Sequence, residues 1–370
     1  MSNYLWRNSV KQLKPYVPGK PIEEVKNELG LEKITRLASN ENPFGVSPKA
    51  ITAMQKAVEE GYLYPEGTCG ELREKLADEH GISADQVLVA NGADHMIKLI
   101  AAAYINPGDE VIYCTPTFAT YRSAVLLMEG IPVEIPTKND TFDLDAIRLT
   151  INDKTKMIFI CNPNNPTGTI VDEAQLHAFL KQVPGHVIVV LDEAYIEFVQ
   201  SAPYKNGLDY LREGFRLITI RTFSKLYGLA GLRVGYAMAP KEYLMPVGAV
   251  REHFAVNRIA VSGALAALDD MEFREMTLRE NRAQMDYLVN ELCELGFHVK
   301  ASHTNFLFID TKRDAALIYQ GLMKEGILVR PCAAWGLPQH LRITIGTAQQ
   351  NQELLEALAA ITLSIQESKG

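Results

Sequence analysis

Between about residues 48 and 250 the chain alternates helical patterns with short, mainly apolar runs, several of them unbroken, and this alternation restricts the possible folds more than any other feature. Val187-Ile188-Val189-Val190-Leu191 is the clearest of them. A strand facing water on one side alternates apolar and polar residues. A run with no alternation is buried on both faces, which is the mark of a mostly parallel sheet covered by helices. By this reading strands fall at residues 86–90, 110–114, 132–135, 156–161, 187–192 and 216–221. Helices are expected at 48–60, with Ser47 as N-cap and Pro48 in the first turn, and at 70–79, 93–105, 118–128 and 172–182.

After residue 250 the pattern changes. A long helical stretch is expected over 257–295, then a strand at 305–309 and a helix at 314–325. Strands at 327–330 and 341–345 and a closing helix from Ala348 follow. That describes a small α+β domain. The first 45 residues carry Pro15, Pro18, Gly19, Pro21, Gly30, Pro43 and Gly45, and read as an arm. The expected division is an arm over 1–45 that packs with the small domain, a large domain over 46–255, and a connecting helix with the small domain over 256–370.

Composition narrows the partners. Lys plus Arg number 37 against 45 acidic residues, a formal charge of −8. Nucleic-acid and membrane-surface binders need the opposite balance, so neither partner is expected. No apolar run reaches the ~18 residues of a membrane helix. The first 20 residues lack the apolar core of a signal peptide. Five cysteines (69, 114, 161, 293, 332) with no CxxC speak against a disulfide framework or thiolate zinc site. Each is expected to be a small buried hydrophobe, in a protein of the reducing cytoplasm. The eight histidines are scattered, with no metal-ligand spacing. GxxxxGK[ST], HExxH, GxSxG and a post-strand GxGxxG are all missing.

In an open α/β sheet, ligands bind beyond the carboxyl ends of the strands. Asn91-Gly92-Ala93-Asp94 follows the first strand and opens a helix, whose free N–H groups suit a phosphate. Asn162-Pro163-Asn164-Asn165-Pro166-Thr167-Gly168 is a stiff loop that can fix an amide. Asp192-Glu193-Ala194-Tyr195 puts a carboxylate at the end of a buried strand, where it needs a cationic or donor partner. Thr222-Phe223-Ser224-Lys225, with Arg233 eight residues later, combines two hydroxyls, an amine and a guanidinium. A lysine there, beside other cations, has a lowered pKa and an amine free for imine formation. Together these groups meet the needs of pyridoxal 5′-phosphate (PLP): an amine for its aldehyde, a partner for its ring N–H, donors for its phenolate oxygen and a cradle for its phosphate.

The same residues carry a family resemblance. The ordered series Asn40-Glu41-Asn42-Pro43, Tyr64-Pro65, Asn91-Gly92-Ala93-Asp94, Asn162 through Gly168, Asp192-Glu193-Ala194-Tyr195, Ser224-Lys225 and Gly231-Leu232-Arg233 resembles the class I/II aminotransferases of PLP fold type I, over roughly residues 10–360. The resemblance implies an enzyme with ping-pong kinetics that passes an amino group from a small amine donor to a 2-oxo acid. It implies that Lys225 is the imine-forming residue and proton shuttle, that Asp192 pairs with the ring N–H, and that Asn165 and Tyr195 serve the phenolate oxygen. Ala93, Asp94, Thr222, Ser224 and Arg233 would hold the phosphate, and Phe118 would stack on the ring. Tyr64 would reach the cofactor of a second subunit, making a homodimer.

Within the family, Pro15 through Lys20, Tyr64-Pro65-Glu66-Gly67 and the segment from Val329 to Gly346 resemble the branch that uses L-histidinol phosphate and 2-oxoglutarate, a step of histidine biosynthesis. Arg330 and Arg342 would then clamp the substrate anion, helped by Tyr16 and Asn165. A branch acting on phenylalanine or tyrosine shares most of these motifs and stays open, as does, more distantly, a PLP-binding regulatory protein.

Overall fold

The protein is described by a computed structural model, covering residues 5–13, 22–200 and 203–367. Tyr16, and with it the segment Pro15 to Lys20, lies outside the described residues.

A two-residue strand, β1 (Thr35–Arg36), comes first. Seven strands then build the main sheet: β2 (Val87–Ala90), β3 (Glu110–Thr115), β4 (Ile131–Pro136), β5 (Thr155–Cys161), β6 (Ile188–Asp192), β7 (Leu217–Thr222) and β8 (Gly235–Met238). Their order is β2-β8-β7-β6-β5-β3-β4. All pairs from β7 to β4 are parallel, and β8 runs antiparallel to both its neighbours. The structure bears out the mostly parallel sheet flanked by helices. The sequence reading missed β8, whose four residues Gly-Tyr-Ala-Met are too short a run to stand out, although all are buried.

The core explains the unbroken apolar strands. Ile97, Ile100, Tyr121, Phe159 and Val190 belong to one buried cluster, and Leu72, Val89, Phe223, Tyr236 and Phe306 to a second. Each such side chain stabilises the fold by about 1.5–3 kcal/mol on burial, which anchors the sheet as a rigid support.

The C-terminal part forms a four-stranded sheet of order β12-β13-β10-β9, from β9 (His298–Val299), β10 (Phe306–Asp310), β12 (Arg330–Pro331) and β13 (His340–Thr344). A separate strand, β11 (Ile327–Leu328), pairs with β1. The single strand expected at 327–330 is thus two, because β11 joins the arm while β12 joins β13. The long helix expected at 257–295 is also two, Arg258–Leu268 and Met271–Glu294. Asp270 ends the continuity. Its side chain caps the second helix through the Phe273 N–H and accepts from Ser47 Oγ at 2.5 Å.

The arm touches both parts of the molecule. Arg7 donates to the Glu129 carboxylate at 2.9 Å, beside the main sheet. Further along, Lys33 and Thr35 reach Glu353 on the C-terminal helix Ala348–Glu367. Cys69, Cys114, Cys161 and Cys332 are buried, but Cys293 is exposed on its helix, against expectation. It lies near the end of an amphipathic helix, on the face away from the apolar cluster that Leu288 and Leu292 join. Among the described residues no helix is long and apolar enough to cross a membrane.

Candidate active site

Register brings the chemistry together. Cys161 is level with Asp192, and Asp192 with Ile220, so the ends of β5, β6 and β7 lie side by side. Gly235 pairs with both Ala90 and Thr222, which brings the end of β2 to the same edge.

Asp192 forms the floor. It is 2% exposed, and burial pushes its carboxyl up to about 6. It accepts hydrogen bonds from the Tyr121 hydroxyl at 2.7 Å and from the Ala194 N–H at 3.1 Å. Tyr121 in turn stacks on Phe159, with ring centroids 4.6 Å apart, and meets Phe118 edge to face at 5.9 Å.

Lys225 stands on the loop after β7. Its Nζ donates to the carbonyls of Ser39 and Asn40 at 3.2 Å each and lies 5.5 Å from the Tyr195 ring centroid. Burial first, and then the nearby Arg342 guanidinium, lower its amine to about 8. Tyr195 is buried, which pushes its hydroxyl up, and that oxygen accepts from Asn40 Nδ2 at 2.9 Å. The hydroxyl hydrogen is left to donate elsewhere.

Next to this floor is a cradle of donors. The helix Ala93–Tyr104 begins here, with the first-turn N–H groups of Ala93 and Asp94 at its open end. Arg233 reaches Asp94 Oδ2 at 3.2 Å and Ser224 Oγ at 3.4 Å, and the Thr222 hydroxyl accepts from the Ser224 N–H. The cradle is spacious because of two glycines. A Cβ at Gly92 would lie 2.6 Å from Arg233 Nη2, and one at Gly235 would lie 2.8 Å from the Ala93 nitrogen.

Arg342 and Arg330 approach from the other sheet. Arg342 Nη1 donates to Asn165 Oδ1 and Nη2 to the Ala38 carbonyl, both at 2.6 Å. Arg330 is directly opposite Arg342 in the β12–β13 register. The structure therefore gathers Ala93, Asp94, Phe118, Asn165, Asp192, Tyr195, Thr222, Ser224, Lys225, Arg233, Arg330 and Arg342 around one site. Tyr64 is elsewhere. It is 79% exposed and stacks on Phe254 at 4.8 Å.

Several members escaped the sequence reading. Tyr121 had a local signal, since it lies one helical turn beyond Phe118. Asn40 links Tyr195 and Lys225, at a left-handed φ of 56°. Glu193, fully buried, accepts from Arg221 Nη2 at 2.9 Å, Thr219 Oγ1 at 2.8 Å and the Gly207 N–H at 2.7 Å. This saturated ion pair ties the residue after Asp192 to the residue before Thr222.

Residues 32–358 match the family described as Aminotransferase class I and II. The chain belongs to that family. The aminotransferase is 45% identical over 356 residues to the histidinol-phosphate aminotransferase of Moorella thermoacetica, covering 96% of this chain and 92% of that one. It is 41% identical to the enzyme of the same name from Caldicellulosiruptor saccharolyticus, covering 96% and 100%. Among solved structures it resembles the histidinol-phosphate aminotransferase of Sinorhizobium meliloti in complex with pyridoxal-5′-phosphate, with a TM-score of 0.87, 25% identity and 99% of each chain covered. The fold is that of the PLP fold type I aminotransferases.

Proposed function

We propose that this aminotransferase binds PLP and transfers the amino group of L-histidinol phosphate to 2-oxoglutarate, as a homodimer. The observation that carries the substrate reading is the directly opposed pair Arg330 and Arg342, beside Asn165 and the Lys225 amine. Two guanidiniums on one face suit a phosphate on the donor and a carboxylate on the acceptor.

The residues fit PLP. Asp192 is a buried carboxylate raised to about 6, and a positively charged ring N–H would lower it again. The cradle at Gly92 and Gly235 is filled by any added Cβ, so its room suits a phosphate against backbone. When bound, PLP supplies an aldehyde that captures amines and a ring that accepts electrons from the substrate carbon.

The chain's own groups supply the rest. The Lys225 amine, lowered to about 8, is neutral in a useful fraction near neutral pH; it would take the proton from the substrate α-carbon and, as the ammonium, deliver it to a different carbon, so that the amino group changes hands. Asp192 would keep a proton on the ring nitrogen. Tyr195, whose oxygen already accepts from Asn40, has its hydrogen free for the phenolate oxygen, and Asn165 would donate there through Nδ2 while Oδ1 faces Arg342. Phe118 would cover the ring. Ala93, Asp94, Thr222, Ser224 and Arg233 would bind the phosphate, within a cofactor domain spanning 46–255.

Tyr64 supports the dimer reading. It is exposed with Tyr62, Leu63 and Phe254, an apolar surface suited to a second copy, across which its hydroxyl would reach the partner's cofactor. Five free thiols fit a reducing cytoplasm.

The deciding experiment is steady-state glutamate formation by the holoenzyme with L-histidinol phosphate or L-phenylalanine as donor. We expect kcat/KM for histidinol phosphate to be larger by about tenfold or more. The reverse order would move the enzyme to the aromatic branch and leave the cofactor roles intact.

A further inference from the structure

Arg330 and Arg342 pose an electrostatic problem. As directly opposed residues on antiparallel strands they project from the same face, where like charges destabilise each other. The segment that connects their strands contains the turn Ala333–Trp335, followed by Gly336 at a φ of 78°. This turn sends the Trp335 indole back over the pair. Both guanidinium carbons lie 5.8 Å from its ring centroid. The face of an indole is electron-rich and attracts cations, so one ring offsets part of the repulsion of two.

The ring is itself fixed. Its Nε1 donates to the Thr117 carbonyl at 2.8 Å, a bond that spans the two sheets. Thr117 precedes Phe118, and its hydroxyl donates to Asn164, the neighbour of Asn165. The indole therefore lies against both arginines and ties them to the loops that carry Phe118 and Asn165, while Arg342 is also held by Asn165, the Ala38 carbonyl and the Phe306 ring, whose centroid is 5.4 Å away.

We propose that Trp335 is a specificity-determining residue, whose ring holds Arg330 and Arg342 together as a two-guanidinium receptor for a phosphate monoester. The proposal deepens the substrate reading above and rests on it. A carboxylate occupies one guanidinium fork, whereas a phosphate dianion has oxygens for two. Receptor groups held in place before binding favour the ligand that needs both.

The test compares the holoenzyme with its Trp335→Leu and Trp335→Phe variants. For Trp335→Leu we expect KM for histidinol phosphate and the inhibition constant of inorganic phosphate to rise about tenfold, with kcat within about threefold. The kcat/KM for phenylalanine should change by less than about threefold, and Trp335→Phe should recover most of the phosphate affinity, since it keeps the ring. An equal loss with both donors, or no loss with either, overturns the proposal.

A second measurement needs no change at Trp335. Trp6 is the only other tryptophan, so a Trp6→Phe holoenzyme has one indole. Titration with inorganic phosphate should give a saturable change in its emission, at the concentration that inhibits, and chloride at equal ionic strength should not. Inhibition by phosphate with unmoved emission overturns the proposal, even if Trp335→Leu fails to fold. A wild-type enzyme that prefers phenylalanine defeats the histidinol-phosphate reading instead, and the phosphate titration still decides on Trp335.

Discussion

The hydroxyl of Tyr121 donates to Oδ2 of Asp192 at 2.7 Å, deep under the site and with both residues buried. This bond favours the carboxylate form and opposes the burial that raises it. Tyr121→Phe keeps the stack on Phe159 and removes only the donor. We expect kcat to fall roughly tenfold and thermal unfolding to show a loss of about 1–3 kcal/mol, the cost of an unsatisfied buried acceptor. Unchanged kinetics would mean that Asp192 needs no help from Tyr121.

Asp192 also predicts a pH dependence for the cofactor-free protein. Its folded pKa, about 6, lies above the ordinary 3.8. A raised pKa contributes stability that is complete below the unfolded value and is lost as pH rises through the folded one. Cofactor-free protein should therefore lose stability between about pH 4 and 6 by on the order of 3 kcal/mol from this group. Asp192→Asn should remove that slope while abolishing transamination, as urea unfolding at several pH values and activity assays would read.

Lys225 acts in the opposite sense on stability. Its folded value of about 8 lies below the ordinary 10.5, so its protonated form disfavours folding and stability rises with pH between the two. Lys225→Ala should lower kcat by about 10² or more, since it removes both base and nucleophile. It should also flatten cofactor-free stability between pH 8 and 10.5. Substantial turnover by this variant would contradict the role given to Lys225.

Gly92 has a φ of +86°, and an added Cβ would meet the Arg233 guanidinium at 2.6 Å. Gly92→Ala is expected to displace Arg233 from the cradle and to weaken PLP retention about tenfold, measured by equilibrium dialysis. Retention equal to wild type would place the phosphate elsewhere.

Arg342→Lys keeps the charge but loses the fork that contacts Asn165 and the Ala38 carbonyl. We expect kcat/KM to fall by about 10² for the amine donor and the 2-oxo acid alike, because Asn165 loses its anchor along with the anion site. A loss confined to one substrate would show that the two anions use different residues.

The groups legible in the amino-acid order alone are those that depend on short-range pattern. Asp192 ends a strand that declares itself by an unbroken apolar run, Lys225 follows closely on the mainly apolar strand β7, and the Asn162 to Gly168 loop is stiffened by its own prolines. The open helix start at Ala93 follows from the glycine before it. These are local properties, readable wherever the strand ends are. The break at Asp270 was also local, and its signal was two successive carboxylates inside a helical pattern, where side-chain oxygens compete for backbone N–H groups.

Other features arise from contacts between segments far apart in the chain. The β8 strand owes its place to pairing on both edges, not to its own composition. Glu193 meets Arg221 because β6 and β7 are neighbours, and no spacing in the chain encodes that adjacency. Asn40 serves Tyr195 across 155 residues, and Trp335 bonds to Thr117 across 218. Such contacts exist because the packed cores fix distant segments to within a hydrogen bond's tolerance. A sequence states which groups are available, and close packing in three dimensions selects which of them meet.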